Sequence, residues 1–132
     1  MELTTEAALA AVPFAAELGV EIVRLDAEEV RCRLPWAPER CTVGGALHGG
    51  AIMALADTAG ALAAFLNLPD GAGGTTTISS STNFLRAVRS GHAEAVARPL
   101  HAGRTTVVVA TEVLDADGRP VATVTQAQAV LR

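Results

Sequence analysis

Asp57 is the only ionisable side chain in the long apolar run from Ala51 to Leu66. A carboxylate in such surroundings must be paired, hydrogen-bonded or chemically useful, because burying an uncompensated charge is costly. Such a group could act as a nucleophile or as a general base. The structural alternative is an aspartate that is bonded to Thr58, to Arg86 or to a backbone amide.

The segment His48-Gly49-Gly50 precedes this run, at the expected start of a helix. The first N–H groups of a helix have no acceptor within it, and the helix dipole is positive there, so they can bind an anion or a developing oxyanion. Donors aimed at the oxygen of a tetrahedral intermediate contribute ~3 to 4 kcal/mol each. The structural alternative is that Gly49 and Gly50 only permit a tight loop and a close helix-to-sheet contact. Together, a carboxylate and oxyanion donors form a minimal set for hydrolysing an activated acyl group.

The spacing of these groups points to a second copy of the chain. Gly49 and Asp57 are separated by ~12 Å of helix axis at 1.5 Å per residue, so one helix cannot present both to one carbonyl. A two-fold dimer with facing antiparallel helices could place Asp57 of one chain beside Gly49 of the other. The sequence therefore predicts an obligate homodimer with two equivalent sites.

The three histidines have different expected roles. Imidazole titrates near neutrality, so His48 could be a general base, but without a visible acid partner a capping or positioning role is favoured. His92 and His101 lie at strand boundaries, and neither belongs to a cluster with metal-ligand spacing. We therefore predict no metal.

The surrounding pattern predicts one α+β domain over residues 1–132. Residues 1–18 form a lead-in segment, with a helix from Thr4 to Leu18 that Gly19 ends. A hairpin is expected next, and then one long helix from about His48 to Leu66, apolar on nearly every face and so surrounded by protein. The strand-like runs are Val20–Leu25, Val30–Leu34, Thr75–Leu85, Glu94–Leu100, Thr105–Leu114 and Pro120–Leu131. Consecutive strands after the helix favour an antiparallel sheet wrapped around it.

Charge and hydropathy exclude several classes of partner. A net charge of −4 and a pI near 5.3 argue against nucleic-acid binding. The run from Ala46 to Leu68 is a poor membrane span, because a central Asp costs ~2.5 to 3.5 kcal/mol.

The acidic N-terminus lacks the pattern of a secretory signal, and Cys32 and Cys41 are expected to be reduced thiols. Cytoplasmic localisation follows as the default.

The run from Gly45 to Ala59, Gly-Ala-Leu-His-Gly-Gly-Ala-Ile-Met-Ala-Leu-Ala-Asp-Thr-Ala, resembles the signature of hotdog-fold thioesterases. The resemblance is to the PaaI-like (phenylacetate-pathway) group of the 4-hydroxybenzoyl-CoA thioesterase superfamily. It continues through Asn83–Arg86, Gly103-Arg104 and Asp117-Gly118, and covers about residues 19–132. It implies a hotdog fold, with a curved antiparallel sheet around one central helix, dimers with joined sheets and often tetramers. It implies no cofactor, since coenzyme A is part of the acyl-CoA substrate.

The resemblance also implies roles for individual residues. Asp57 would attack the thioester or activate water, and the N–H of Gly49 would polarise its carbonyl. Ser79 matches a position that helps to place the water in some relatives. Thr42 stands where relatives often carry Asn or Gln near the thioester, a departure from the pattern.

Other residues are candidates for binding substrate. Guanidinium groups suit phosphate geometry, so Arg86, Arg89 and Arg104 could contact the phosphates of coenzyme A, or could be ordinary surface charges. The remaining candidates for substrate contact are Gly50 and Asn83, and those for the acyl pocket are Ile52, Leu55 and Phe65.

Hydrolysis of acyl-CoA is the leading hypothesis, with two alternatives. The same fold could serve a hydratase or dehydratase, with His48 and Asp57 as acid and base across the dimer. A non-enzymatic acyl-CoA-binding protein is the third possibility.

Overall fold

The N-terminal segment forms two short helices. The computed structural model describes residues 3–132, so the first two residues of the expected lead-in segment lie outside it. Helix α1 covers Thr5–Ala11 and helix α2 covers Pro13–Leu18. The prediction of one helix from Thr4 to Leu18 is wrong, because proline lacks an N–H and disfavours helical geometry in the residue before it. That residue, Val12, has φ −121° and ψ 75°.

Six antiparallel strands of the described range form one sheet, in the spatial order β1-β2-β4-β5-β6-β3. The strands are β1 (Glu21–Leu25), β2 (Val30–Pro35), β3 (Gly74–Phe84), β4 (His92–Ala102), β5 (Thr106–Asp115) and β6 (Pro120–Leu131). The expected hairpin and the four later strands are confirmed, with small shifts at their ends. β3 follows the long helix in sequence but lies at the edge of the sheet opposite β1.

The long helix α3 covers Gly49–Phe65, as the sequence predicts, and lies across the sheet. Its sheet-facing side is built largely from alanine, which lets the helix backbone approach the strands closely. Leu55, Ala59 and Ala63 on this side have no exposed surface. They join one continuous core with the buried side chains of β2, β4, β5 and β6. The architecture is the expected sheet wrapped around one helix.

One side of α3 is open in the single chain. Gly50, Met53, Asp57 and Phe65 are exposed and recur at helical spacing, so they form one stripe, here called the open stripe. The expectation that protein surrounds α3 therefore holds for its sheet side only.

Strand β3 is also open. Its outer edge has no neighbouring strand within residues 3–132, and positions 76–81 are exposed on both faces. An edge strand of this length presents a row of free N–H and C=O groups to another chain.

None of the helices in the described range is long and apolar enough to cross a membrane. Within residues 3–132, no group of three or more His, Cys, Asp or Glu side chains could hold a metal ion. Both cysteines are free thiols, and burial, with a contribution from Glu94, raises the pKa of Cys32 to about 12.

Candidate active site

His48 caps the N-terminus of α3. Its backbone is extended, with φ −60° and ψ 136°, and its Nδ1 accepts a hydrogen bond from the N–H of Gly50 at 2.8 Å. Its own N–H donates to the carbonyl of Arg40 at 2.9 Å, which ties the cap to the preceding loop. The expected capping role is confirmed. Because Nδ1 is the acceptor, a neutral His48 ring carries its proton on Nε2.

Gly49 supplies the free donor at this helix start. The N–H of Gly50 is used by His48, whereas that of Gly49 has no hydrogen-bond acceptor within residues 3–132. Gly49 also packs against β3, since a Cβ at this position would lie 3.3 Å from Cζ of Phe84. The N–H thus lies near the carboxyl end of β3, free to bind a ligand atom.

The loop before the cap is held by its own contacts. The Thr42 N–H donates to the Ala46 carbonyl at 2.8 Å, and the Thr42 side chain is exposed. Arg89 donates from Nη1 to the carbonyl of Gly44 at 3.1 Å. A groove of about 240 Å³ lies beside this loop and is lined in part by His48 and Gly50.

Asp57 has a partner that the sequence did not suggest. Its Oδ1 accepts a hydrogen bond from Nε2 of Gln126 on β6 at 3.1 Å. The expected structural partners are not used: the Thr58 hydroxyl donates instead to the Ala54 carbonyl at 2.8 Å, and no bond to Arg86 or to a backbone amide is present in the described range. The second oxygen, Oδ2, accepts no hydrogen bond from residues 3–132.

A cavity of about 410 Å³ lies beside Asp57. Its walls come from α1, α3 and the start of β3, and they are mostly apolar. Phe65 lines it. Ile52 and Leu55, the other candidates for the acyl pocket, do not line this cavity, because both lie in the core with 3% and 0% of their surface exposed. The lining residues are Leu3, Ala8, Ala11, Val12, Asp57, Thr58, Ala61, Leu62, Phe65, Gly74 and Thr75.

Thr75 brings a hydroxyl to the wall of this cavity, and the sequence reasoning missed it. Its Oγ1 donates to Oε1 of Gln128 at 3.1 Å, and Nε2 of Gln128 donates to Oγ1 of Thr77 at 2.7 Å. Since its proton goes to Gln128, the Thr75 oxygen can still accept a hydrogen bond from a water or a ligand.

Ser79 is not brought to the Asp57 of its own chain. It pairs with Ala127, whereas its neighbour Ser80 pairs with Gln126, the residue that contacts Asp57. Directly opposed residues share a face of the sheet, so Ser79 faces the other way. A β-bulge between Thr77 and Ser79 causes this change of face.

The remaining candidates for substrate contact lie on the surface. Asn83, near the end of β3, is exposed and pairs with Thr123 on the face that Ser79 shares. Arg86 and Arg104 are exposed and form no ion pair within residues 3–132. Their side chains are available to a ligand but are not gathered around Asp57.

Comparisons with known proteins identify the family of the chain. The family model described as Thioesterase superfamily matches residues 44–122. The proofreading thioesterase EntH of Cronobacter turicensis is 35% identical over 102 residues, which are 77% of this chain and 74% of the relative.

Two solved structures share the fold. Thioesterase HI1161 from Haemophilus influenzae superposes with a TM-score of 0.91 at 28% identity, covering 100% of this chain and 93% of that one. The E. coli PaaI protein, from the phenylacetic acid degradation operon, has a TM-score of 0.86 at 22% identity, covering 97% and 91%, and supports the hotdog fold alone. The chain therefore belongs to the thioesterase superfamily, has the hotdog fold and is a thioester hydrolase.

Proposed function

We propose that this enzyme hydrolyses acyl-CoA thioesters, with Asp57 as nucleophile or general base and the N–H of Gly49 as oxyanion donor. The carboxylate of Asp57 at the wall of a mostly apolar cavity of about 410 Å³, with Oδ2 unbonded by residues 3–132, carries the proposal. An uncharged acyl group suits the cavity, because most of its walls are apolar. Membership of the superfamily favours hydrolysis over the hydratase and binding-only alternatives.

The chemistry needs only water and these groups. Either Asp57 or a water that Asp57 deprotonates attacks the thioester carbon, and the carbonyl oxygen becomes an oxyanion that accepts from Gly49. The C–S bond then breaks, and coenzyme A leaves as a thiolate that takes up a proton. If Asp57 is the nucleophile, water hydrolyses the resulting anhydride in a second step. The hydroxyl of Thr75 is an alternative to Ser79 for placing that water.

The geometry of β3 supports a site shared between two chains. Gly49 packs on Phe84 at the carboxyl end of β3, whereas the Asp57 cavity is lined by Gly74 and Thr75 at its amino end. If two β3 edges pair antiparallel about a two-fold axis, the amino end of one lies beside the carboxyl end of the other. Gly49 of one chain would then approach Asp57 of its neighbour. The open stripe of α3 and the free edge of β3 fit an obligate homodimer.

Coenzyme A would be bound at the rim of this shared site. Arg86, Arg89 and Arg104 are exposed and suit its phosphates, and Thr42 and Asn83 offer further polar contacts. The exposed outer face of β3 leaves room for a tetramer built from two such dimers.

Dimers that combine two different variant chains test the roles of Asp57 and Gly49, and they test whether each site is shared between two chains. Asp57→Asn removes the carboxylate, and Gly49→Pro removes the N–H. Proline is tolerated at the first helical position, and the extended backbone of His48 suits the residue before it. Gly49→Ala is the matched control, since it adds a Cβ against Phe84 but keeps the donor.

Each inactive variant is expected to lose ~10²-fold or more in kcat for a medium-chain acyl-CoA as a homodimer. A dimer of one Asp57→Asn chain and one Gly49→Pro chain, purified through two different tags, keeps one intact site if the site is shared. It should recover about half of the wild-type activity. An inactive mixed dimer would show that each site lies within one chain, and near wild-type kcat in Asp57→Asn would overturn the role of Asp57.

A further inference from the structure

Gln126 is a buried amide aimed at the carboxylate. Its side chain lies on β6, with 1% of its surface exposed, and its Nε2 donates to Oδ1 of Asp57 at 3.1 Å. Its Oε1 is buried without a hydrogen-bond partner among the described residues. Leaving such an acceptor unpaired in a core is destabilising, so the amide is a poor choice for packing alone.

We propose that Gln126 is a positioning residue that holds Asp57 for reaction and that Gly60 makes room for it, an inference that rests on the proposed role of Asp57. The hydrogen bond restrains Oδ1 and leaves Oδ2 as the oxygen that reacts. Without it, a short side chain on the open stripe of α3 rotates about its Cβ–Cγ bond. Precise orientation of a catalytic group is a large part of its contribution to rate.

Gly60 fits this reading because the amide occupies the space of its missing side chain. A Cβ at position 60 would overlap Oε1 of Gln126, so alanine there would displace the amide. Glycine inside a helix lowers helix stability, and the φ of Gly60 is not positive, so its backbone does not demand glycine. The close approach of Gln126 is therefore the structural reason for Gly60.

Gln128, on the same strand, has an amide whose oxygen and nitrogen are both hydrogen-bonded. It is equally buried, but its Oε1 accepts from Thr75 and its Nε2 donates to Thr77. Among residues 3–132, the side-chain amide of Gln126 bonds to Asp57 alone. The difference indicates that Gln126 serves the carboxylate and is not part of a general polar network.

The test begins with Gln126→Met, which keeps much of the side-chain volume and removes the donor. We expect kcat to fall about tenfold, as for loss of a hydrogen bond to a charged group, with little change in KM or Tm. Thr111→Val is the matched control, because Thr111 is also buried on the sheet, its hydroxyl has no hydrogen-bond partner among the described residues, and Asp57 bonds to Gln126 instead. It should keep wild-type kcat.

A double-mutant cycle separates positioning from general packing. In the Asp57→Asn background, Gln126→Met should cause no further loss of kcat, because the group that it positions is gone. An equal loss in both backgrounds would overturn the inference. Gly60→Ala, which displaces the amide and keeps both side chains, should reproduce the kcat loss and serves in place of Gln126→Met if that variant does not fold.

The outcomes also separate the inference from the proposed function. An Asp57→Asn enzyme with near wild-type kcat would remove the catalytic role of Asp57 and the inference with it. An inactive Asp57→Asn enzyme combined with wild-type kcat in both Gln126→Met and Gly60→Ala would refute the positioning role alone.

Discussion

Substitutions of His48 can distinguish its capping of α3 from a direct role in the chemical reaction. His48→Ala removes the acceptor of the Gly50 N–H and leaves that donor without its partner. Loss of a side-chain N-cap costs ~1 kcal/mol, within a range of about 0.5 to 2. For a chain of 132 residues, with ~2.1 cal/mol/K of unfolding entropy per residue, this lowers Tm by about 4 °C.

His48→Asn is the matched variant, since asparagine is among the best N-cap residues. We expect its Tm to lie close to that of wild type. Its kcat should fall far less than the ~10²-fold that removal of a general base causes. Thermal unfolding at one fixed protein concentration, together with kcat on the same acyl-CoA, measures both effects.

Two results would contradict this reasoning. An unchanged Tm in His48→Ala would show that the bond from Gly50 does not stabilise the helix. A His48→Asn enzyme with wild-type Tm but a ~10²-fold loss of kcat would assign His48 a direct chemical role, with its Nε2 proton as the relevant group.

Two further predictions concern thiols and acid stability. A disulfide reagent such as DTNB should modify Cys41 but not Cys32 in the native protein at pH 8, because Cys32 is buried and its pKa is about 12. After unfolding, the reagent should modify both cysteines. Rapid labelling of both in the native protein would contradict the structure. Burial raises the pKa of Glu29, but the hydrogen bond from Arg31 and the charges of nearby arginines lower it by a larger amount. The net shift of the pKa is downward. A lowered pKa means that Glu29 stabilises the fold above its ordinary pKa and loses this effect as the pH falls through the folded value. Glu29→Gln should therefore lower Tm at pH 7, and the difference from wild type should narrow below about pH 4; a difference independent of pH would refute the electrostatic explanation.

The local elements follow from the sequence, because their signals lie within a few residues. His48 and the glycines after it mark the start of α3, and Asn67-Leu-Pro marks its end. The break between α1 and α2 was missed, although Pro13 was visible, because proline is equally acceptable in the first turn of a new helix. The apolar residues on both sides of Pro13 have helical spacing, so the pattern does not reveal the break.

The site is harder to predict, because it depends on which strands meet. Gln126 and Gln128 continue the alternating buried face of Val124, so two inward amides could have been read from the sequence. That Gln126 reaches Asp57 depends on how α3 crosses the sheet, which no local pattern encodes. The bulge in β3 turns Ser79 away from the Asp57 of its own chain, because one extra residue turns every later side chain to the opposite face, whereas Thr75 precedes the bulge.

The strand order has a consequence for folding kinetics. β4, β5 and β6 form consecutive hairpins, whereas β3 pairs with β6 across the whole of that meander. Contacts between distant parts of the chain form late, since loop-closure entropy must be overcome first. Asp57, Thr75 and Gln126 come from α3, β3 and β6, so their cluster is complete only after β3 docks. Partial unfolding that releases β3 from β6 should therefore abolish turnover while β4, β5 and β6 remain paired.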